Sequence, residues 1–110
     1  MTGYYNPQHL TDFHSISEHA PDLGKKFFEW YGSVMEDGAL SSREKSLIAL
    51  GVSHAVQCPY CIEAYTKDAL KQGYDVEQLT EVVHVASAIK GGAALVHGMQ
   101  MREVADGLGM

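Results

Sequence analysis

The chain has 110 residues, is 45% hydrophobic and carries a net charge of −6, which fits one domain around one core. Its 8 Lys and Arg residues form no cluster, which argues against a nucleic-acid surface, and no uninterrupted run of about 18 apolar residues predicts a transmembrane helix. Met1 to Leu10 lacks a charged stretch followed by an apolar one, so no secretory leader is expected and a cytoplasmic location is.

Residues 1–20 are polar and mixed. They read as an N-terminal arm with one short helical turn after Pro7, followed by a single helical domain over residues 21–110. His9, His14 and His19 are spaced by five and do not share a helix face, so they read as solvated rather than as a metal site. A helix is expected from Pro21 to about Asp37. Pro21 suits a first turn, Phe27, Trp30, Tyr31 and Val34 make one apolar face, and Gly38 fits the end.

The next helix starts at Ser41, where Ser41 and Glu44 form a capping-box pattern, and runs through Leu47, Ile48, Leu50 and Val52 to about Val56. Pro59 then disfavours a helical Cys58. A third helix is expected over 59–72, with Ile62, Tyr65, Ala69 and Leu70 as its stripe and Gly73 just past its end. Asp75 and Gln78 make a second capping pair. The helix they open is apolar over much of its surface, which predicts a central or interface position. Gly91-Gly92 is expected to break it, leaving a last helix over 93–104 and a loose tail from Asp106. No strand alternation occurs, so the class is all-α.

The chemistry concentrates at Cys58-Pro59-Tyr60-Cys61, the only two cysteines in the chain. Their spacing permits a disulfide with little backbone movement. It also places both at a helix start, where free N–H groups and the macrodipole favour thiolate over thiol. In a cytoplasmic chain such a pair points to catalysis or metal binding. A structural zinc needs four ligands, and neither a second Cys-X-X-Cys nor a His-X-X-X-His is present, so no metal is expected. By proximity to the amide donors alone, Cys58 would be the more acidic thiol.

The run Ser42-Arg43-Glu44-Lys45-Ser46-Leu47-Ile48-Ala49-Leu50-Gly51-Val52-Ser53, then the cysteine pair, then Ala69-Leu70-Lys71-Gln72-Gly73 and Gly91-Gly92-Ala93-Ala94-Leu95, resembles the AhpD-like, carboxymuconolactone decarboxylase superfamily. The match covers roughly Leu40 to Gln100. More narrowly, the chain resembles the branch of arsenosugar-biosynthesis-associated peroxidase-like proteins. The resemblance implies an AhpD-like bundle of about five to six helices that assembles as a homo-oligomer, a trimer or hexamer. It also implies a thiol peroxidase site in which Cys61 attacks a hydroperoxide and Cys58 resolves the product as a disulfide. The family pattern adds a glutamate on the preceding helix and a histidine four residues past the second cysteine as a proton relay. Here those positions hold Ser46 and Tyr65.

Candidate replacements follow from position. Tyr65 shares a helix face with Cys61, although a phenol of pKa near 10 is a poor base. His54 lies one turn before Cys58 and is the best base by pKa. Ser46 can hydrogen-bond but carries no charge. Glu63 is expected to face solvent, away from Cys61, and His84 and His97 to be satisfied buried histidines. The leading expectation is a dithiol oxidoreductase that reduces a hydroperoxide or disulfide, needs no cofactor and is reset by an external dithiol. The alternative is a protein that binds a thiophilic ligand, such as a trivalent arsenical, without turnover. Lactone decarboxylation follows from the superfamily name alone and ranks last. Neither nucleic acid nor membrane is expected as a partner.

Overall fold

Local chemistry sets the helix boundaries. The computed structural model describes residues 5–109; Met1 to Tyr4 and Met110, parts of the expected arm and tail, lie outside the described residues. Helix α1, Pro7–Thr11, is opened by Asn6, whose side chain accepts from the Gln8 amide at 3.0 Å. A 3-10 helix, Phe13–His19, follows it. Helix α2 spans Pro21–Met35, α3 spans Ser42–Ala55, α4 spans Pro59–Lys71 and α5 spans Val76–Gly107. The described residues contain no strand, so the all-α expectation holds.

Both capping boxes close. Glu44 N–H donates to Ser41 Oγ at 3.0 Å and Ser41 N–H to Glu44 Oε1 at 2.9 Å. Gln78 N–H donates to Asp75 Oδ1 at 2.8 Å and Asp75 N–H to Gln78 Oε1 at 2.9 Å. The backbone bond from Ser41, with its hydroxyl, holds the Glu44 carboxyl below its ordinary value. Gly73 ends α4 at φ 94°, with Gly73 N–H on Leu70 O and Tyr74 N–H on Ala69 O, a Schellman closure.

The core lies where α3, α4 and α5 meet. Leu50, Ala69 and Leu79 are buried there, with Leu47, Tyr65, Tyr74 and Val82 packed around them. Ser46 and Ser53 are also buried, each satisfied by a carbonyl on its own helix. The 3-10 helix folds back on α2 through Phe13, whose ring meets Phe28 at 5.1 Å. Gly24 permits that approach, since a Cβ there would sit 1.9 Å from Ser17 Oγ.

Two expectations are corrected. Gly91-Gly92 does not break α5, which continues as one helix of 32 residues past Asp106. Each interior glycine costs only about 1 kcal/mol relative to alanine, and neither takes a positive φ here. The N-terminal segment is also more than an arm. It carries two helical pieces, and α1 packs against α4. Helix α5 is long and apolar enough, by length and composition, to cross a membrane, which the count of uninterrupted apolar residues did not anticipate.

Candidate active site

The cysteine pair is presented by a turn that closes one helix and opens the next. Gln57 N–H donates to His54 O at 3.2 Å and Cys58 N–H to Ser53 O at 3.0 Å, a second Schellman closure. Gln57 takes the left-handed position at φ 57°. Cys58 is then extended, at φ −101° and ψ 100°, as a residue before proline should be, and Pro59 starts α4. This makes Cys58 the N-cap. Its sulfur accepts from the Cys61 amide at 3.2 Å, and the two cysteines are bonded as a disulfide with Cα atoms 5.3 Å apart. On reduction, a thiolate at Cys58 would find that N–H already aimed at it.

The disulfide opens on a cavity of about 440 Å³ between α4, α2 and the N-terminal segment. Cys58, Tyr60, Cys61 and Tyr65 form one wall. Phe28 and Tyr31 of α2 form another, and His9, Leu10 and Phe13 close the third side. A second cavity, of about 520 Å³, lies between α2 and α3. Cys61 and Tyr65 line it too, with Trp30, Val34 and Val52 among its apolar walls. Cys61 is thus the sulfur that borders both.

The N-terminal segment is fixed over the pair by three contacts with α4. The Tyr5 hydroxyl donates to Glu63 Oε1 at 3.0 Å, the Tyr5 and Tyr60 rings meet edge-on at 4.8 Å, and His9 Nδ1 lies 3.1 Å from the Tyr60 hydroxyl. Desolvation, then the bond to Glu63, pushes the Tyr5 phenol above its ordinary value; burial does the same to Tyr31. Both are therefore neutral at physiological pH.

Of the residues singled out by sequence, Cys58, Cys61 and Tyr65 come together at the cavity. His54 lies elsewhere. Its Nδ1–H donates back to Leu50 O at 2.9 Å, and it is not among the residues lining either cavity. Ser46 is fully buried, donates its hydroxyl to Arg43 O at 2.7 Å and lines neither cavity. Glu63 is not a free surface group but the anchor for Tyr5, with Lys67 Nζ 3.4 Å away. His84 and His97 are exposed rather than buried. The residue that sequence reasoning missed is His9, which meets Tyr60 across 51 positions. No local pattern signals such a contact. Among the described residues no group of three His, Cys, Asp or Glu side chains could hold a metal ion.

The family model for the carboxymuconolactone decarboxylase family matches residues 21–103. The chain belongs to the carboxymuconolactone decarboxylase family. It is similar to a crystal structure from Methanobacterium thermoautotrophicum, with a TM-score of 0.75 and 30% identity, covering 78% of this chain and 97% of that one. It is also similar to a carboxymuconolactone decarboxylase family protein from Legionella pneumophila, solved in its apo form. There the TM-score is 0.66 at 28% identity, covering 83% of this chain and 86% of that one. A protein of the cox locus of Paracoccus denitrificans, described as uncharacterized, is 44% identical over 73 residues. That match covers 66% of each chain, just under two thirds of the relative's length. The expected AhpD-like placement holds for this carboxymuconolactone decarboxylase family chain, and the family match begins after the segment that carries His9.

Proposed function

We propose that the protein is a thiol-dependent oxidoreductase of the peroxidase type, cycling Cys58 and Cys61 between dithiol and disulfide while reducing a hydroperoxide or a disulfide. The observation that carries this reading is the bonded pair at the start of α4, facing a cavity large enough for a small organic molecule. Cys61 is the attacking sulfur, since it borders both cavities. Cys58, with the Cys61 amide on its sulfur, is the thiolate that resolves the oxidised intermediate. An external dithiol resets the pair.

A second reading, capture of a trivalent arsenical without turnover, is favoured by the replacement of both relay residues by Ser46 and Tyr65. One experiment separates the two. The reduced protein is mixed with an organic hydroperoxide in a stopped-flow instrument and disulfide formation is followed. Wild type should oxidise with second-order kinetics, and Cys61→Ser should lose at least a hundredfold in rate. Equal rates would overturn the mechanism. No consumption by wild type, together with tight arsenical binding by calorimetry, would replace it with the binding reading.

A further inference from the structure

The site lacks the relay that its family resemblance implies, yet an imidazole faces it from another quarter. Of the six histidines in the chain, His9 is the one that lines the cavity containing both sulfurs. It belongs to a segment that precedes the family match at residue 21. Three contacts keep it there: Tyr5 on Glu63, Tyr5 against the Tyr60 ring, and His9 on the Tyr60 hydroxyl. We propose that His9, paired with Tyr60, is the proton carrier of the dithiol site. The inference rests on the peroxidase reading above.

The pairing suits a group that must change charge. Neutral His9 accepts at Nδ1 from the Tyr60 hydroxyl. Once protonated, Nδ1–H donates to the same oxygen, so the 3.1 Å contact survives in both states. Tyr60 sits between the cysteines in the chain and lines the same cavity, so the imidazole, its phenol partner and both sulfurs share one enclosure. Imidazole is the ordinary side chain that exchanges a proton near neutrality. The other titratable groups facing the cavity are Tyr60, Cys61 and Tyr65 from α4, Cys58 at its N-cap and Tyr31 from α2, while the 3-10 helix presents Phe13. Glu63 is engaged by Tyr5 and Lys67, and Asp12 by Gln8.

The step balances without a further reactant. His9 takes the proton of the Cys61 thiol. The thiolate attacks the outer oxygen of the hydroperoxide; the S–O bond forms, the O–O bond breaks, and the departing alkoxide takes the proton back from His9 and leaves as the alcohol. Cys58 then gives up its thiol proton and attacks the sulfenic sulfur as the thiolate; the S–S bond forms, the S–O bond breaks, and the hydroxide leaves as water with that proton. The two thiols lose two electrons and the hydroperoxide gains them.

The test uses the full chain, reduced and freed of reductant, with tert-butyl hydroperoxide in stopped flow across pH 5 to 9. His9→Ala should slow oxidation at least tenfold, toward the hundredfold or more that general acid–base catalysis supplies. It should also lose the neutral-range limb of the wild-type pH profile. His9→Asn keeps an acceptor for the Tyr60 hydroxyl but carries no proton, so it should be equally slow. Added imidazole should restore part of the rate to His9→Ala. His9→Asn at the wild-type rate would reduce His9 to a packing residue, and His9→Ala at that rate would remove it from the chemistry; either outcome overturns the inference and leaves the peroxidase reading standing. Wild type no faster than Cys61→Ser would overturn both.

Discussion

At position 57 a glutamine occupies backbone space that glycine fills more cheaply. Its φ of 57° closes α3 and sets the extended Cys58, so the redox pair begins on a mildly strained residue. For a residue with a Cβ the left-handed region costs about 1 kcal/mol or more, and glycine is the usual occupant of this helix-ending position. Gln57→Gly should therefore stabilise the fold by about 0.5–1 kcal/mol, partly offset by the freer unfolded chain. Calorimetry should show a melting point a few degrees higher, and Gln57→Val one lower; the reverse order would mean that the glutamine side chain holds the turn. The turn itself was not legible in the sequence, because no glycine marks it. The cysteine pair was, since spacing, proline and helix start all act within four residues. His9 was not, because its place depends on Tyr5 reaching Glu63 across 58 positions.

The same division between local and distant causes runs through the elements. Helix starts at Ser41 and Asp75, and the end of α4 at Gly73, were readable because each is a contact between residues at most five apart. The continuity of α5 was not. A glycine pair lowers helix propensity, but a capped helix of 32 residues has length enough to absorb it. Gly91 meets no other atom within 4 Å of where a Cβ would stand. Gly91→Ala should accordingly stabilise the helix by about 0.5–1 kcal/mol, seen as a rise of several degrees in the circular dichroism melt. A fall would place Gly91 against a neighbouring helix that the single chain does not contain.

Taken alone, the molecule is open for its length. Its radius of gyration is 18.8 Å, against about 13 Å for a compact chain of this length. Among the described residues only Leu50, Ala69 and Leu79 are buried hydrophobics, the two leucines worth about 1.5–3 kcal/mol each and the alanine about 1 kcal/mol, which is little against the entropy of ordering the chain. Meanwhile Val85, Ile89, Val96 and Met99, on one stripe of α5, are 63%, 70%, 63% and 61% exposed. A bilayer could cover a helix of this length, but Lys90 stands at mid-helix on another face, where a charge in lipid costs about 2.5 kcal/mol or more. We propose that a second copy, offering an equally apolar stripe of its own, covers it, in keeping with the trimer or hexamer that the family resemblance implies. Light scattering on purified wild type should therefore give a multiple of 12.0 kDa at micromolar concentration. Ile89→Glu, which puts a charge in the middle of the stripe, should shift the mass toward the monomer and lower the melting point sharply. A monomeric wild type would sink the proposal, and a wild type that stays in solution only with detergent would give the stripe to a membrane instead.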